Sequence, residues 1–115
     1  MKLFSYSSCS TCRKAINWLK KNDIVFELID ILNNPPSKDM LIEASEVYGD
    51  KKYLLNTSGA IYRSMGSQIF KTMSDNEFYE ALYEEPRLIR RPFFYKHDNC
   101  ILVGFKEEKW INKLL

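Results

Sequence analysis

The sequence predicts a single α/β domain, residues 1–115, whose core runs β-α-β and then β-β-α around a helical insertion. Three observations lead to this prediction. Residues 1–31 have a strand–helix–strand pattern, residues 92–115 have a strand–strand–helix pattern, and residues 33–86 between them carry helix signals. The length suits one domain with its own core, and 45% hydrophobic with 28% charged residues is an ordinary globular composition.

The opening unit begins with a short strand at Lys2–Ser7, where polar and apolar residues alternate weakly. Residues 13–21 form the predicted helix, because their apolar side chains can share one face, and Asn22 is suited to end it. The β-rich run Ile24–Ile31 is the second strand. A unit of this kind favours parallel strands joined by a right-handed crossover.

The helical insertion opens at the turn sequence Asn33–Pro36. Its first helix is predicted between an N-cap at Ser37 and a C-terminal stop at Gly49. Residues 52–71 indicate one or two short helices, and the capping-box sequence S-x-x-E of residues 74–77 opens the last helix.

The closing unit contains two strands, Pro92–Tyr95 and Cys100–Val103, which flank a hairpin turn at His97–Asn99. A final helix over residues 107–115 is expected to face the core with Trp110, Ile111 and Leu114. Taken in order, these elements predict a thioredoxin-like plan with a helical insertion.

Net charge and hydropathy argue against several classes of function and location. The net charge of +2 gives no indication of a direct nucleic-acid or membrane partner. No stretch approaches the roughly 18 apolar residues of a membrane span, and the N-terminal apolar run is too short for a signal peptide. We therefore expect a cytoplasmic protein, in which a CxxC motif is more often redox-active or metal-binding than structural.

Cys9 and Cys12 form such a motif where the first predicted strand meets the first helix. Unpaired N–H groups and the positive dipole end of a helix stabilise a thiolate, the reactive form of cysteine. Arg13 and Lys14 add positive potential, which makes Arg13 a candidate anion-binding residue. Cys12, one turn along, could resolve a mixed disulfide formed at Cys9, so the pair is a candidate redox disulfide.

Two alternatives for the CxxC motif remain open at this point. A zinc site needs about four ligands, and Cys100 and His97 are the other strong candidates but lack standard spacing, so no metal is predicted. A purely structural motif is the second alternative. His97 lies in a predicted turn and is expected to be solvated, while Cys100 is expected to be an inert, buried thiol.

The segment Ile89–Pro92 is the second informative stretch. In a thioredoxin-like plan Pro92 would face the CxxC motif and commonly follows a cis peptide bond. Arg91 would then lie near Cys9, where it could stabilise a thiolate or bind an oxyanion or carboxylate. The alternative is an edge-strand proline preceded by solvated arginines, a role that suits Arg90 better than Arg91.

Four stretches in collinear order give the chain a resemblance to a known family. YSSCSTCRKAINWL at residues 6–19, LLNTSG at 54–59, LIRRPF at 88–93 and LVGFKEE at 102–108 together resemble the ArsC/Spx/YffB family. This resemblance covers essentially the whole chain. It implies a thioredoxin-like fold with a helical insertion.

The arsenate reductases of that family attack arsenate with one cysteine and are regenerated by glutathione or glutaredoxin. By resemblance, Cys9 is the nucleophile and Arg91 is the arginine that precedes the active-site proline. Asn56 and the segment Val103–Phe105 lie where the reductases carry two further anion-binding arginines. The implied substrates are therefore arsenate or a glutathione mixed disulfide, with glutaredoxin or thioredoxin as a protein partner and no bound cofactor.

The Spx regulators of the same family carry a CxxC redox switch and bind the C-terminal domain of the RNA polymerase α subunit. The CxxC motif and the Arg90–Arg91 pair resemble Spx, whereas LLNTSG and LVGFKEE are closer to the YffB-like proteins. Gly49 falls about where Spx carries a glycine that contacts the polymerase. The need for a glycine at the end of a helix explains this residue as well. An Spx regulator is expected to carry a longer charged tail beyond the position of Leu115. The sequence thus leaves a thiol–disulfide oxidoreductase and a redox-sensing regulator as alternatives.

Overall fold

A computed structural model describes residues 1–115 as one four-stranded sheet and six α-helices. The strands are β1 (Lys2–Ser5), β2 (Glu27–Asp30), β3 (Phe93–Lys96) and β4 (Cys100–Val103). The helices are α1 (Ser10–Lys21), α2 (Lys38–Tyr48), α3 (Ala60–Met65), α4 (Ser67–Thr72), α5 (Asp75–Glu84) and α6 (Glu107–Leu114). Short 3₁₀ turns at Lys51–Leu54 and Pro86–Leu88 flank the α3–α5 segment. None of the helices has the length and apolar character needed to cross a membrane.

The sheet has the strand order β2-β1-β3-β4. β1 pairs with β2 in parallel, and the pairs β1–β3 and β3–β4 are antiparallel. The predicted β-α-β and β-β-α units therefore meet side by side through β1 and β3. Because β1 is central and ends at Ser5, the loop that follows it opens at the carboxyl edge of the sheet, next to the start of β3.

Two clusters of buried side chains cover the two faces of the sheet, as the alternation of side chains along a strand requires. One cluster joins α1 and α6 to the sheet residues Leu3, Phe94 and Leu102. The other joins the helical insertion to Phe4 and Phe93 and is the larger of the two. The insertion thus supplies one layer of the core and reaches the same sheet edge as the β1–α1 loop.

Three caps predicted from the sequence are present. The Ser37 hydroxyl accepts a hydrogen bond from the Met40 N–H, and Gly49 adopts a left-handed φ of +75° at the end of α2. Ser74 and Glu77 form the reciprocal hydrogen bonds of a capping box. These local signals fix where the helices of the insertion begin and end.

Several features of the predicted elements differ from the structure. The first two strands are shorter than the predicted Lys2–Ser7 and Ile24–Ile31, since they cover only Lys2–Ser5 and Glu27–Asp30. Helix α1 begins at Ser10, three residues before the predicted start, because Cys9 is its N-cap. The sequence pattern predicts Ile111 in the core with Trp110, but Ile111 is 39% exposed whereas Trp110 is 1% exposed. In α6 the inward face follows Trp110 and Leu114, which are four residues apart, and Ile111 lies to one side of it.

Candidate functional site

Cys9 occupies the junction that the sequence predicts, between β1 and α1. Its φ of −91° and ψ of 113° are those of an extended N-cap residue, and its Sγ accepts the backbone N–H of Cys12 at 3.2 Å. The Cys9 N–H in turn donates to the Tyr6 carbonyl at 3.0 Å, which closes the loop after β1. The Cys9 sulfur therefore receives an N–H bond from the first turn of the helix, at the positive end of the helix dipole.

Cys12 lies one turn further along α1 and is 1% exposed. Burial, and next the hydrogen bond with Cys9, raise the pKa of the Cys12 thiol to about 12. The negative charge of a Cys9 thiolate adds to this increase, whereas a hydrogen bond at the Tyr6 backbone and the charge of Arg91 oppose it. All three cysteines are present as free thiols. The two cysteines of the motif thus differ in exposure: Cys9 lines the pocket, whereas Cys12 is buried.

An open pocket of about 570 Å³ surrounds the Cys9 sulfur. Three segments that are distant in sequence form its walls: the β1–α1 loop, the loop at residues 55–59 and the segment that precedes β3. Its lining residues are Tyr6, Ser8, Cys9, Ser10, Thr11, Leu55, Asn56, Thr57, Ser58, Gly59, Arg90, Arg91 and Gly104. This set contains two arginines and no aspartate or glutamate, so the pocket favours anionic or strongly polar ligands.

Arg91 is in the pocket with Cys9, and the Arg91–Pro92 peptide bond is cis. The Arg91 guanidinium lies 4.9 Å from the centroid of the Tyr6 ring, and its Nη1 donates to the Arg87 carbonyl at 3.3 Å. Its Nε is buried and has no hydrogen-bond partner. Pro92 is buried behind the pocket wall, and its carbonyl accepts the Gly104 N–H at 2.8 Å. Arg91 therefore places a positive charge at the wall of the pocket that holds Cys9.

Arg90 is the pocket residue that the sequence reasoning placed at the solvated surface. It lines the pocket together with Arg91, and its guanidinium stacks over Tyr53 at 4.3 Å. Tyr53 belongs to the helical insertion, so no local pattern around Arg90 could have indicated this contact. Gly104 does not indicate it either, because its φ of +73° already favours glycine and a Cβ there would make only an ordinary van der Waals contact with Arg90.

The loop at residues 55–59 forms another wall of the pocket, in the LLNTSG segment where the family resemblance implies an active-site arginine. Asn56 fixes this loop to the segment before β3, since its N–H donates to the Leu88 carbonyl at 2.8 Å. Its side-chain oxygen accepts the Ser58 hydroxyl at 3.2 Å. A Cβ at Gly59 would lie 2.7 Å from the Asn56 amide nitrogen, so any other residue there would require the Asn56 side chain to shift.

Arg13 does not line the pocket that holds Cys9. Its side chain is exposed, donates to the Ser7 carbonyl at 3.3 Å and borders a second depression that includes Cys12. The role of Arg13 in anion binding stays a prediction, because Arg13 is not among the residues that line the Cys9 pocket. Cys100 and His97 lie at the β3–β4 hairpin, and no three His, Cys, Asp or Glu side chains are grouped to hold a metal ion.

A family model described as the ArsC family matches residues 4–112 of this sequence. The chain belongs to the ArsC family. It is 36% identical over 112 residues to the uncharacterized protein YusI of Bacillus subtilis, a match that covers 96% of this chain and 94% of YusI. The global transcriptional regulator Spx of Streptococcus mutans is 28% identical over 108 residues, which cover 93% of this chain and 77% of Spx.

Solved structures confirm the fold of this ArsC-family chain. A protein related to the ArsC family from Bacteroides fragilis superposes with a TM-score of 0.86 at 32% identity, over 96% of this chain and 94% of that one. The family prediction from the four motifs and the prediction of a thioredoxin-like fold are therefore both confirmed.

Proposed function

We propose that this ArsC-family protein is a thiol–disulfide oxidoreductase in which Cys9 is the nucleophile and Cys12 resolves the mixed disulfide. One observation carries the proposal. The Cys9 sulfur caps α1 at the wall of an open pocket that contains Arg91, while Cys12 is buried one turn behind it. An accessible sulfur beside a protected thiol is the arrangement that disulfide exchange requires.

The reaction proceeds by two exchanges of sulfur partners. The Cys9 thiolate attacks a mixed disulfide, a bond forms to the attacked sulfur, the original S–S bond breaks, and the leaving thiolate takes up a proton. The Cys12 thiolate then attacks the Cys9 sulfur and releases the second thiol, which leaves a Cys9–Cys12 disulfide. Two electrons pass from the protein to the substrate, and glutathione or glutaredoxin returns them. Arg91 stabilises the thiolates by its positive charge, and Pro92 shapes the wall.

The favoured substrate is a glutathione mixed disulfide and not arsenate. Asn56 supplies an uncharged amide to the pocket where the family resemblance implies an anion-binding arginine. An amide compensates the charge of an oxyanion less than a guanidinium does. Turnover assays with arsenate and with a glutathione mixed disulfide, each with glutathione and glutaredoxin, distinguish the two substrates.

Cys9 is expected to be the most reactive of the three thiols at neutral pH. Cys12 is 1% exposed and burial raises its pKa to about 12, while Cys100 lies in β4 away from any helix N-terminus. Brief alkylation followed by peptide mass spectrometry measures the order of modification. Earlier labelling of Cys12 or Cys100 would contradict the assignment of the nucleophile.

Arg91→Ala is expected to slow the reaction of Cys9 with an uncharged aryl disulfide by about fivefold, the effect of about 1 kcal/mol. The reason is that Arg91 is a cation in the Cys9 pocket with an unsatisfied Nε. Arg87→Ala is the matched control, since Arg87 lies outside the pocket and pairs with Glu85. Stopped-flow rates give the comparison, and equal rates for wild type and Arg91→Ala would remove Arg91 from the site.

A second candidate function is a redox-sensing regulator that binds the C-terminal domain of the RNA polymerase α subunit. The similarity to Spx over 93% of this chain favours it. Gly49, at the position that the family resemblance links to polymerase contact, is exposed, and a Cβ at this position would meet no atom within 4 Å. Binding of the α-subunit domain to the reduced and oxidised chain separates this function from disulfide exchange. Because Gly49 has a φ of +75° and any side chain there strains the backbone, Gly49→Ala is the control for Gly49→Arg.

A further inference from the structure

Arg90 is a charged residue of the Cys9 pocket to which the proposed mechanism assigns no role. We propose that Arg90 is a specificity-determining residue, which binds a carboxylate on the part of the disulfide substrate that lies away from the reacting sulfur, and that Tyr53 positions it. This inference rests on the proposed function, because it assigns a ligand contact within the same pocket.

An aromatic platform holds the Arg90 guanidinium. It stacks over the Tyr53 ring at 4.3 Å, and Tyr53 stacks on Tyr48 with ring centroids 4.2 Å apart and planes within 11°. The Tyr48 hydroxyl accepts the Val103 N–H at 2.8 Å, which anchors the platform to β4. A guanidinium held on an aromatic face loses less freedom when it binds a carboxylate than a solvated arginine does.

The Arg90 side chain lies beside Gly104, and both residues line the pocket. Gly104 has a φ of +73°, and a Cβ built on it would lie 3.5 Å from the Arg90 Cδ. The Cδ of Arg90 is therefore close to the backbone at Gly104. The backbone N–H of Arg90 donates to the Leu54 carbonyl at 2.7 Å, so both ends of the residue are fixed.

The charge of Arg90 is not compensated within the protein. The three ion pairs of the structure are Lys38–Glu80, Lys51–Asp75 and Arg87–Glu85, and none of them includes Arg90. The pocket lining has no acidic residue, and Lys109 approaches Tyr53 and Tyr48 at 5.7 and 5.5 Å from the ring centroids. The positive potential that results favours a carboxylate, which a guanidinium can bind through two parallel hydrogen bonds.

Two aryl disulfides of similar shape test this assignment: dianionic dithiobis(nitrobenzoate) and uncharged dithiodipyridine. In a Cys12→Ser, Cys100→Ser background each chain reacts once, as the Cys9 sulfur bonds to one aryl sulfur and the other aryl group leaves as a thiolate. Arg90→Gln is expected to lower the rate with the dianionic probe about fivefold and to leave the uncharged probe within about twofold. The difference between the effects of Arg90→Gln on the two probes should become smaller at about 1 M salt, where the Debye length is about 3 Å.

Variants of Tyr53 test the positioning role. Tyr53→Phe retains the stacked ring and should keep the preference for the dianionic probe, whereas Tyr53→Leu should lose part of it. Arg63→Gln on α3 is the charge-matched control, since Arg63 is exposed and lies outside the pocket.

Each outcome of this experiment has one meaning. Unchanged rates in Arg90→Gln, or equal losses with both probes, would overturn the assignment of Arg90 and leave the oxidoreductase function standing. If Cys9 of the unaltered pocket reacts with neither probe, both the proposed function and the role of Arg90 are wrong.

Discussion

Replacing Cys12 by serine is expected to abolish the intramolecular disulfide completely and to leave oxidised protein with glutathione bound at Cys9. Cys12 lies on the first turn of α1, and its N–H already contacts the Cys9 sulfur at 3.2 Å. Its thiol is therefore the group placed to attack a mixed disulfide at Cys9. In a glutathione redox titration the two-electron couple of the wild type should vanish in Cys12→Ser, and intact-mass measurement should show one glutathione per chain.

Cys100→Ser is the control for this experiment. Cys100 pairs with Lys96 across the β3–β4 hairpin, away from the pocket that holds Cys9. Its replacement should leave the redox couple of the wild type unchanged. An oxidised wild type in which Cys9 is linked to Cys100 would show that the resolving cysteine is wrongly assigned.

The pH dependence of disulfide closure follows from the protonation of Cys12. Burial is the main reason that the pKa of Cys12 is raised to about 12, so at neutral pH few molecules carry a Cys12 thiolate. Closure should therefore accelerate by about tenfold for each unit by which the pH rises, as long as most Cys12 thiols remain protonated. The hydrogen bond with Cys9 and the negative charge of Cys9 also raise this pKa. Their contribution is lost once Cys9 is in a mixed disulfide, when Cys12 has to attack.

Local sequence signals predicted the elements of the fold because their physical causes are local. The caps at Ser37 and at Ser74 depend on hydrogen bonds that span three residues, and the turn at Gly49 depends on its own φ. The strand–CxxC–helix junction belongs to the same class, since an N-cap interaction joins Cys9 to Cys12. Signals of this kind can be recognised without knowledge of the tertiary structure.

The composition of the pocket could not be predicted in the same way, because it depends on contacts between distant segments. Neighbouring side chains in an extended segment usually point to opposite faces, which favoured a solvated Arg90 beside an active-site Arg91. In the structure Tyr53 of the insertion draws Arg90 into the same pocket as Arg91. The loop that contains Asn56 reaches the site through its bond to Leu88, which lies beyond helices α3, α4 and α5 in the chain.

Trp110→Ala is expected to cost about 3–5 kcal/mol of the free energy of unfolding, against roughly 5–15 kcal/mol for a whole domain. The Trp110 ring is 1% exposed and packs against Trp18, Phe94 and Phe105. Its removal would leave a cavity where α6 packs on the sheet. Urea unfolding followed by circular dichroism measures the loss.

The same tryptophan connects the stability of α6 to the pocket, because its Nε1 donates to the Gly104 carbonyl at 3.1 Å and Gly104 lines the pocket beside Arg90. Trp110→Phe keeps most of the packing and loses this bond, so it should cost about 1 kcal/mol for the bond in addition to a smaller packing loss. Ile111→Ala is the matched control on the same helix, since Ile111 is 39% exposed and its truncation should stay within about 0.5 kcal/mol. Equal losses for Trp110→Ala and Ile111→Ala would mean that α6 does not pack on the sheet through Trp110.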